Sequence, residues 1–73
     1  MMGAAKFMVT IKFAEEPYPK TYFFDDSAQA NRFYYDRREF YKSDDLFNGS
    51  KVQLWKLSDD SQRWDLKLSS DNA

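Results

Sequence analysis

The sequence predicts an α+β domain of the order ββαββ, in which one helix covers one face of a four-stranded, mostly antiparallel sheet. Three observations predict this class: a segment with strict apolar alternation, one long segment with apolar residues at helical spacing, and two further short apolar segments. A chain of 73 residues supplies one hydrophobic core. We therefore expect a single domain over residues 1–73, with an ordered core from about residue 6 to residue 68.

The first two strands are predicted to form a hairpin. Residues 6–13 alternate in the manner of a half-buried antiparallel strand, and the apolar residues of one face are Phe7, Val9, Ile11 and Phe13. The following residues include two prolines, which cannot donate to a sheet ladder and indicate a loop before a second strand over residues 20–24.

The register of this hairpin decides which aromatic residues of the second strand are buried. A six-residue loop pairs Phe13 with Lys20. That register points Tyr22 and Phe24 toward the core, whereas a slip of one residue would turn Phe23 inward. We adopt the register that keeps Phe23 outside.

The helix is predicted over residues 27–42. Asp26 can cap its N-terminus, and Gln29 follows at the spacing of a capping box. Asn48 and Gly49 set the latest end of the helical region. At 100° per residue an apolar stripe forms from Ala30, Phe33, Tyr34, Phe40 and Tyr41.

Two more strands are predicted over residues 51–57 and 63–68, joined by a polar turn, with a frayed tail over residues 69–73. A right-handed crossover favours the sheet order 2-1-4-3, with the first and last strands parallel at the centre. The predicted core combines strand alternation with the helical stripe. It consists of Phe7, Val9, Ile11, Phe13, Phe33, Tyr34, Phe40, Val52, Leu54, Trp64, Leu66 and Leu68.

This arrangement resembles β-grasp domains, such as ubiquitin and the small immunoglobulin-binding domains, in topology. The tail from Ser70 to Ala73 lacks the terminal Gly pair through which ubiquitin-like modifiers are conjugated. The short, aromatic-rich, Cys-free chain also resembles small phage-encoded accessory proteins in style. These resemblances imply a fold and a general kind of protein, and they transfer no site residue and no activity.

Composition argues against catalysis and against a bound metal or cofactor. The chain has no His and no Cys, which removes the imidazole base, the thiol nucleophile and nearly every zinc site. Its acidic doublets lie in predicted loops and helix ends, where nothing separates the pKa values of neighbouring carboxylates. Residues 44–55 do not form a calcium loop, because Leu46 and Trp55 occupy ligand positions. We expect no enzyme.

The charge balance and the apolar segments bear on location and partners. Eleven basic and twelve acidic residues give a net charge of −1, so no overall field attracts nucleic acid or an anionic membrane. The apolar start, residues 1–5, is shorter than the core of a secretory signal, and charged residues interrupt every longer apolar stretch. We expect a cytoplasmic protein with no membrane segment.

The sheet face that the helix leaves uncovered, here called the helix-free face, carries most of the candidate binding residues. Alternation leaves apolar side chains outside at Met8, Phe23, Trp55 and Leu57. Trp55 is either exposed there or returned to the core by a β-bulge near Lys56, and both readings stay open. Alternation also predicts on this face one acid, Asp65, and five cations, namely Lys6, Lys12, Lys51, Arg63 and Lys67.

Arg37 interrupts the apolar stripe of the helix, where a hydrophobic residue is expected. One reading is structural: the stem packs on the core, and the head reaches past the sheet edge to a carbonyl or an Asp. The other reading is functional, with the guanidinium stacked between Tyr34 and Tyr41 and directed at an anion or at a carboxylate of a partner. We expect the rings of Tyr34 or Tyr41 to hold Arg37, with its head at the sheet margin.

The predicted function is a small, non-catalytic protein-binding or regulatory accessory module. Its partner is another protein or a second copy, which could pair through the aromatic second strand at a sheet edge. The alternative is a binder of single-stranded nucleic acid that uses the basic helix-free face, although lysines on an open face are also ordinary solvation. The candidate binding residues are Trp55, Arg37, Met8, Lys12, Phe23, Leu57, Arg63 and Lys67.

Overall fold

The computed structural model describes residues 5–72 and confirms the predicted α+β class. Its elements are β1 (Phe7–Lys12), β2 (Lys20–Phe24), α1 (Ser27–Lys42), a 3₁₀ turn (Asp45–Phe47), β3 (Ser50–Leu57) and β4 (Trp64–Asn72). Residues 1–4 and residue 73 lie outside the described residues. The expectation of a cytoplasmic protein rested partly on the first of these, and residue 73 ends the predicted frayed tail. Between residues 5 and 72, no helix combines the length and apolar character that a membrane crossing requires.

The four strands form one sheet in the order β2-β1-β3-β4, with every neighbouring pair antiparallel. The predicted order 2-1-4-3, with parallel strands at the centre, is wrong. The reason lies in β3, whose inner side buries Ser50, Val52 and Leu54, so that it needs a neighbour on each side. β4 has no buried residue and takes the edge. The sheet therefore departs from the β-grasp order.

The hairpin of β1 and β2 has the predicted faces but a register two residues away from the predicted one. Ile11 lies opposite Lys20, and Val9 lies opposite Tyr22. The rings of Tyr22 and Phe24 reach the helix side, 4.9 and 5.3 Å from the ring of Phe33 between centroids. A two-residue shift preserves the side of every residue, so Phe23 stays on the helix-free face.

A β-bulge divides β4 into two parts that face opposite ways. Leu68 lies opposite Leu54, but Leu66 lies opposite the next residue, Trp55, so that Lys67 is the extra residue. Leu68 packs against the core, whereas Leu66 and Trp64 lie on the helix-free face. The prediction that Trp64 and Leu66 belong to the core is wrong. Trp55 remains on the helix-free face, because the extra residue is on β4 and β3 keeps its alternation.

Helix α1 packs on the middle of the sheet. Asp26 caps it by accepting a hydrogen bond from the amide of Ala28 at 3.2 Å. The helix buries Ala30, Tyr34 and Tyr41 against β1 and β3, where the buried residues are Val9, Ile11, Val52 and Leu54. Phe40 was predicted in the core but is 54% exposed, because the buried positions follow Tyr34 and Tyr41 and leave Phe40 at the margin.

The end of β4 is ordered up to Asn72 and is tied to the end of the helical region. The side-chain amide of Asn72 donates hydrogen bonds to the carbonyl of Tyr41 at 2.7 Å and to the carbonyl of Phe47 at 2.9 Å. The main-chain carbonyl of Asn72 accepts a hydrogen bond from the amide of Gly49. The predicted frayed tail is therefore wrong for residues 69–72, because these contacts satisfy carbonyls that helix ends leave unpaired.

Candidate binding surface

The helix-free face carries a line of apolar side chains that crosses all four strands. The pairing sets Phe23 of β2 opposite Met8 of β1, Met8 opposite Trp55 of β3, and Trp55 opposite Leu66 of β4. We call these four residues the apolar row. The sequence predicted three of them, and the bulge in β4 adds Leu66.

The apolar row is accessible at both ends and partly covered in the middle. Phe23 is 60% exposed and Leu66 is 48% exposed, whereas Met8 and Trp55 are half-buried. The ring of Trp64 lies 6.1 Å from the ring of Phe23 between centroids, although β2 and β4 are the two edges of the sheet. Side chains of the two edge strands therefore meet across the helix-free face.

The indole of Trp55 is held in place by a hydrogen bond. Its Nε1 donates to the Oγ1 of Thr10 at 3.0 Å, from β3 to β1. A half-buried indole that finds a partner for its N–H presents its ring in a fixed orientation. The ring is thus a preformed part of the surface.

Beside the apolar row, the face contains a shallow groove of about 310 Å³. Its residues come from the two central strands, from β4 and from the loop before β2. They are Met8, Thr10, Lys12, Pro19, Lys51, Gln53, Trp55 and Trp64. Lys12 and Lys51 lie opposite each other on β1 and β3, so one end of the groove is basic while the other is aromatic.

The two lysines of the groove have different partners. The Nζ of Lys12 donates to the carbonyl of Phe13 at 2.8 Å, and Lys12 is in none of the ion pairs between described residues. Lys51 pairs with Asp71 at 3.6 Å, and both side chains are largely exposed. An exposed pair of this kind contributes only about 0–1 kcal/mol. Neither ammonium group is therefore held by a strong ion pair among the described residues.

The structure removes part of the predicted basic face. The bulge reverses the faces of the first half of β4. Asp65 therefore lies opposite Lys56, on the same side of the sheet as Phe7, which is the helix side. Arg63 donates to Asp65 at 3.1 Å, and both line a polar cavity with Lys56 and Lys67 at the end of the β3–β4 hairpin. The expectation that Arg63, Asp65 and Lys67 share the helix-free face is wrong.

Leu57 lies at the far end of β3, opposite Trp64, and is half-buried. It borders two cavities at this end of the sheet, and the larger, of about 510 Å³, also touches Lys6, Phe7 and Ser58. The structure brings Leu57 near Trp64, away from the two lysines of the groove.

Arg37 lies on the exposed side of the helix. Its guanidinium carbon is 5.2 Å from the ring centroid of Phe33, so the expectation that Tyr34 or Tyr41 holds it is wrong. Since α1 covers the opposite face of the sheet, Arg37 is not brought together with Trp55. The half-buried arginine of the helix is Arg38, which sequence reasoning did not single out.

Arg38 affects the buried Tyr34. Burial raises the pKa of Tyr34 above its ordinary value, and the charge of Arg38 acts in the opposite direction without cancelling this effect. The guanidinium carbon of Arg38 lies 5.9 Å from the centroid of the Tyr35 ring. This tyrosine is a core residue and takes no part in the helix-free face.

A comparison with known proteins finds no matching protein family, no similar curated protein and no similar solved structure. Among residues 5–72, no group of three or more acidic side chains is placed to hold a metal ion. The surface of the protein is therefore what indicates its function.

Proposed function

We propose that this protein is a non-catalytic protein-binding module that receives its partner on the helix-free face. The observation that carries the proposal is the apolar row, which places one apolar side chain from each strand on a face that no described element covers. Contiguous apolar surface bordered by polar groups is typical of protein interaction sites. Aromatic residues and methionine are also enriched at such sites.

The accessory or regulatory role is part of the same proposal. In this proposal the small domain acts by occupying a site on a larger partner. The held indole of Trp55 supports this role, because a preformed aromatic anchor reduces the entropy that binding must offset.

Site-specific photo-cross-linking tests this function. A benzoylphenylalanine residue at position 23 or 66 replaces a side chain that is already exposed, so the fold should tolerate it. Leu46 offers the matched control, since it is 85% exposed but lies on the 3₁₀ turn, away from this face. In cells of the source organism we expect a cross-linked polypeptide from positions 23 and 66. Absence of any product there, or equal products from position 46, would refute the proposal.

Binding of single-stranded nucleic acid is the second candidate. It is favoured by one observation, which is that Trp55, Trp64, Lys12 and Lys51 line the same groove. Against it, Arg63 and Lys67 lie by a different cavity, and among residues 5–72 no continuous line of cations follows the aromatic rings. Titration of an oligothymidylate at several salt concentrations tests it, since phosphate contacts produce affinity that falls steeply with salt.

A further inference from the structure

We infer that the groove on the helix-free face binds an extended acidic peptide segment, with an apolar side chain against Trp55 and a carboxylate at Lys12. This inference rests on the proposed function and specifies the chemistry of the partner. It commits to a segment with a large apolar residue and an acidic residue four positions apart.

The apolar half of this chemistry follows from the groove floor. Met8, Trp55 and Trp64 present one thioether and two indole rings at one end of a groove of about 310 Å³. A volume of this size admits one large side chain, and aromatic or aliphatic groups gain most from leaving water there.

The acidic half follows from the two lysines at the other end. The Nζ of Lys12 donates to a neutral carbonyl oxygen, and Lys51 shares a weak exposed pair with Asp71. A carboxylate that reaches both ammonium groups would form charge-assisted hydrogen bonds beside apolar surface, where such bonds are stronger than in bulk water.

The spacing between the two ends suits an extended chain. Lys51 and Trp55 are four residues apart on β3, as are Met8 and Lys12 on β1, which corresponds to about 13 Å along a strand. In an extended peptide, residues four positions apart lie on the same side at the same separation. A peptide parallel to the central strands therefore reaches both ends of the groove.

Two other occupants fit less well. A second copy of this chain that docks through the same face brings two lysines and one acidic side chain, Asp71, to this end of the groove, so the two copies are not complementary in charge there. A nucleic acid strand would need cations spaced along the groove, but the two lysines of this groove lie opposite each other at one end. An acidic peptide is the occupant that satisfies both the apolar and the basic ends.

The test uses two sets of fluorescein-labelled nonapeptides and fluorescence anisotropy. Each peptide carries Trp, Phe or Leu at its third position and either Glu or its uncharged isostere Gln at its seventh, with small polar residues elsewhere. A further series exchanges the apolar and the polar position, so that both directions of the peptide along the groove are tested. We expect the best Glu peptide to bind the wild-type protein about tenfold more tightly than its Gln counterpart, the scale of one charge-assisted hydrogen bond.

Two variants locate the preference. Lys12→Gln should weaken the preference for Glu, because only Lys51 then faces the carboxylate, while leaving the affinity for the Gln peptide nearly unchanged. Lys56→Gln is the matched control, because Lys56 is an exposed lysine of the same sheet whose side chain lies on the opposite face. Thermal melts of both variants establish that the fold is intact.

The outcomes separate this inference from the proposed function. Equal affinity for Glu and Gln peptides, or a preference that Lys12→Gln leaves unchanged, overturns the acidic peptide even if cross-links form at positions 23 and 66. Failure of every peptide together with the absence of those cross-links overturns both proposals. Tighter binding of an oligothymidylate than of any peptide, or a stable dimer dissociated by Phe23→Ser, would replace the peptide with nucleic acid or a second copy.

Discussion

Replacement of Asn72 tests how strongly the last residue of β4 holds the helical region to the sheet. In Asn72→Ala the carbonyls of Tyr41 and Phe47 lose a donor at 2.7 and 2.9 Å, while the main-chain bond from Gly49 to residue 72 remains. Each hydrogen bond contributes about 0.5–1.5 kcal/mol net, so the free energy of unfolding should fall by about 1–3 kcal/mol.

This loss is large for so small a domain. Typical stability of about 0.05–0.15 kcal/mol per residue gives roughly 4–11 kcal/mol for this chain. A loss of about 2 kcal/mol corresponds to a decrease in Tm of roughly 8–16 °C for a domain of this size. Urea unfolding followed by tryptophan fluorescence, together with thermal melting followed by circular dichroism, measures both quantities.

Two further variants distinguish lost hydrogen bonds from lost packing. Asn72→Asp keeps the shape but sets a second oxygen against two carbonyls, so it should destabilise the protein more than Asn72→Ala. Asp71→Ala changes the neighbouring residue and removes only an exposed ion pair with Lys51, which should cost less than about 1 kcal/mol. Equal stability of Asn72→Ala and Asp71→Ala, or tolerance of Asn72→Asp, would refute the reasoning.

Four other perturbations follow from the structure. Ile11→Ala empties a core position that is 1% exposed and should cost about 2–5 kcal/mol, so a urea midpoint near that of the wild type would contradict the described core. Gly49→Ala should lower the Tm, because Gly49 has a φ of 89° and an added Cβ would lie 2.8 Å from the Cβ of Ala14. An unchanged Tm would argue against this backbone conformation. Since the pKa of Tyr34 is raised in the folded protein, its contribution to the free energy of unfolding is present below the ordinary pKa of 10.0 and is lost as pH rises through the higher value of the folded state. Between neutral and alkaline pH, the free energy of unfolding should therefore fall less in Tyr34→Phe than in the wild type. An equal fall in the two proteins would contradict this. Acrylamide should quench Trp64 in the Trp55→Phe variant and Trp55 in the Trp64→Phe variant to a comparable extent, because both indoles are half-buried on the helix-free face. Strong protection of either indole would place it in the core.

Local patterns in the sequence determined the elements and most of their faces. Alternation in β1 fixed Val9 and Ile11 as core residues, and the spacing of Ala30, Tyr34 and Tyr41 fixed the buried side of α1. Both patterns depend only on the geometry of neighbouring residues along one element, so they can be read without knowing what packs against it. The same alternation placed Met8, Phe23 and Trp55 outside, which is three quarters of the apolar row.

Tertiary structure decided the order of the strands, the direction of β4 and the anchoring of its end. Trp64, Leu66 and Leu68 read as one regular alternation, and only the pairing with β3 shows that Lys67 interrupts it and turns the first two outward. Likewise Asn72 finds its acceptors in main-chain carbonyls, which every residue carries and no sequence pattern marks. A strand's register depends on the free energy of pairing with residues far along the chain, so the apolar row was complete only once the sheet had formed.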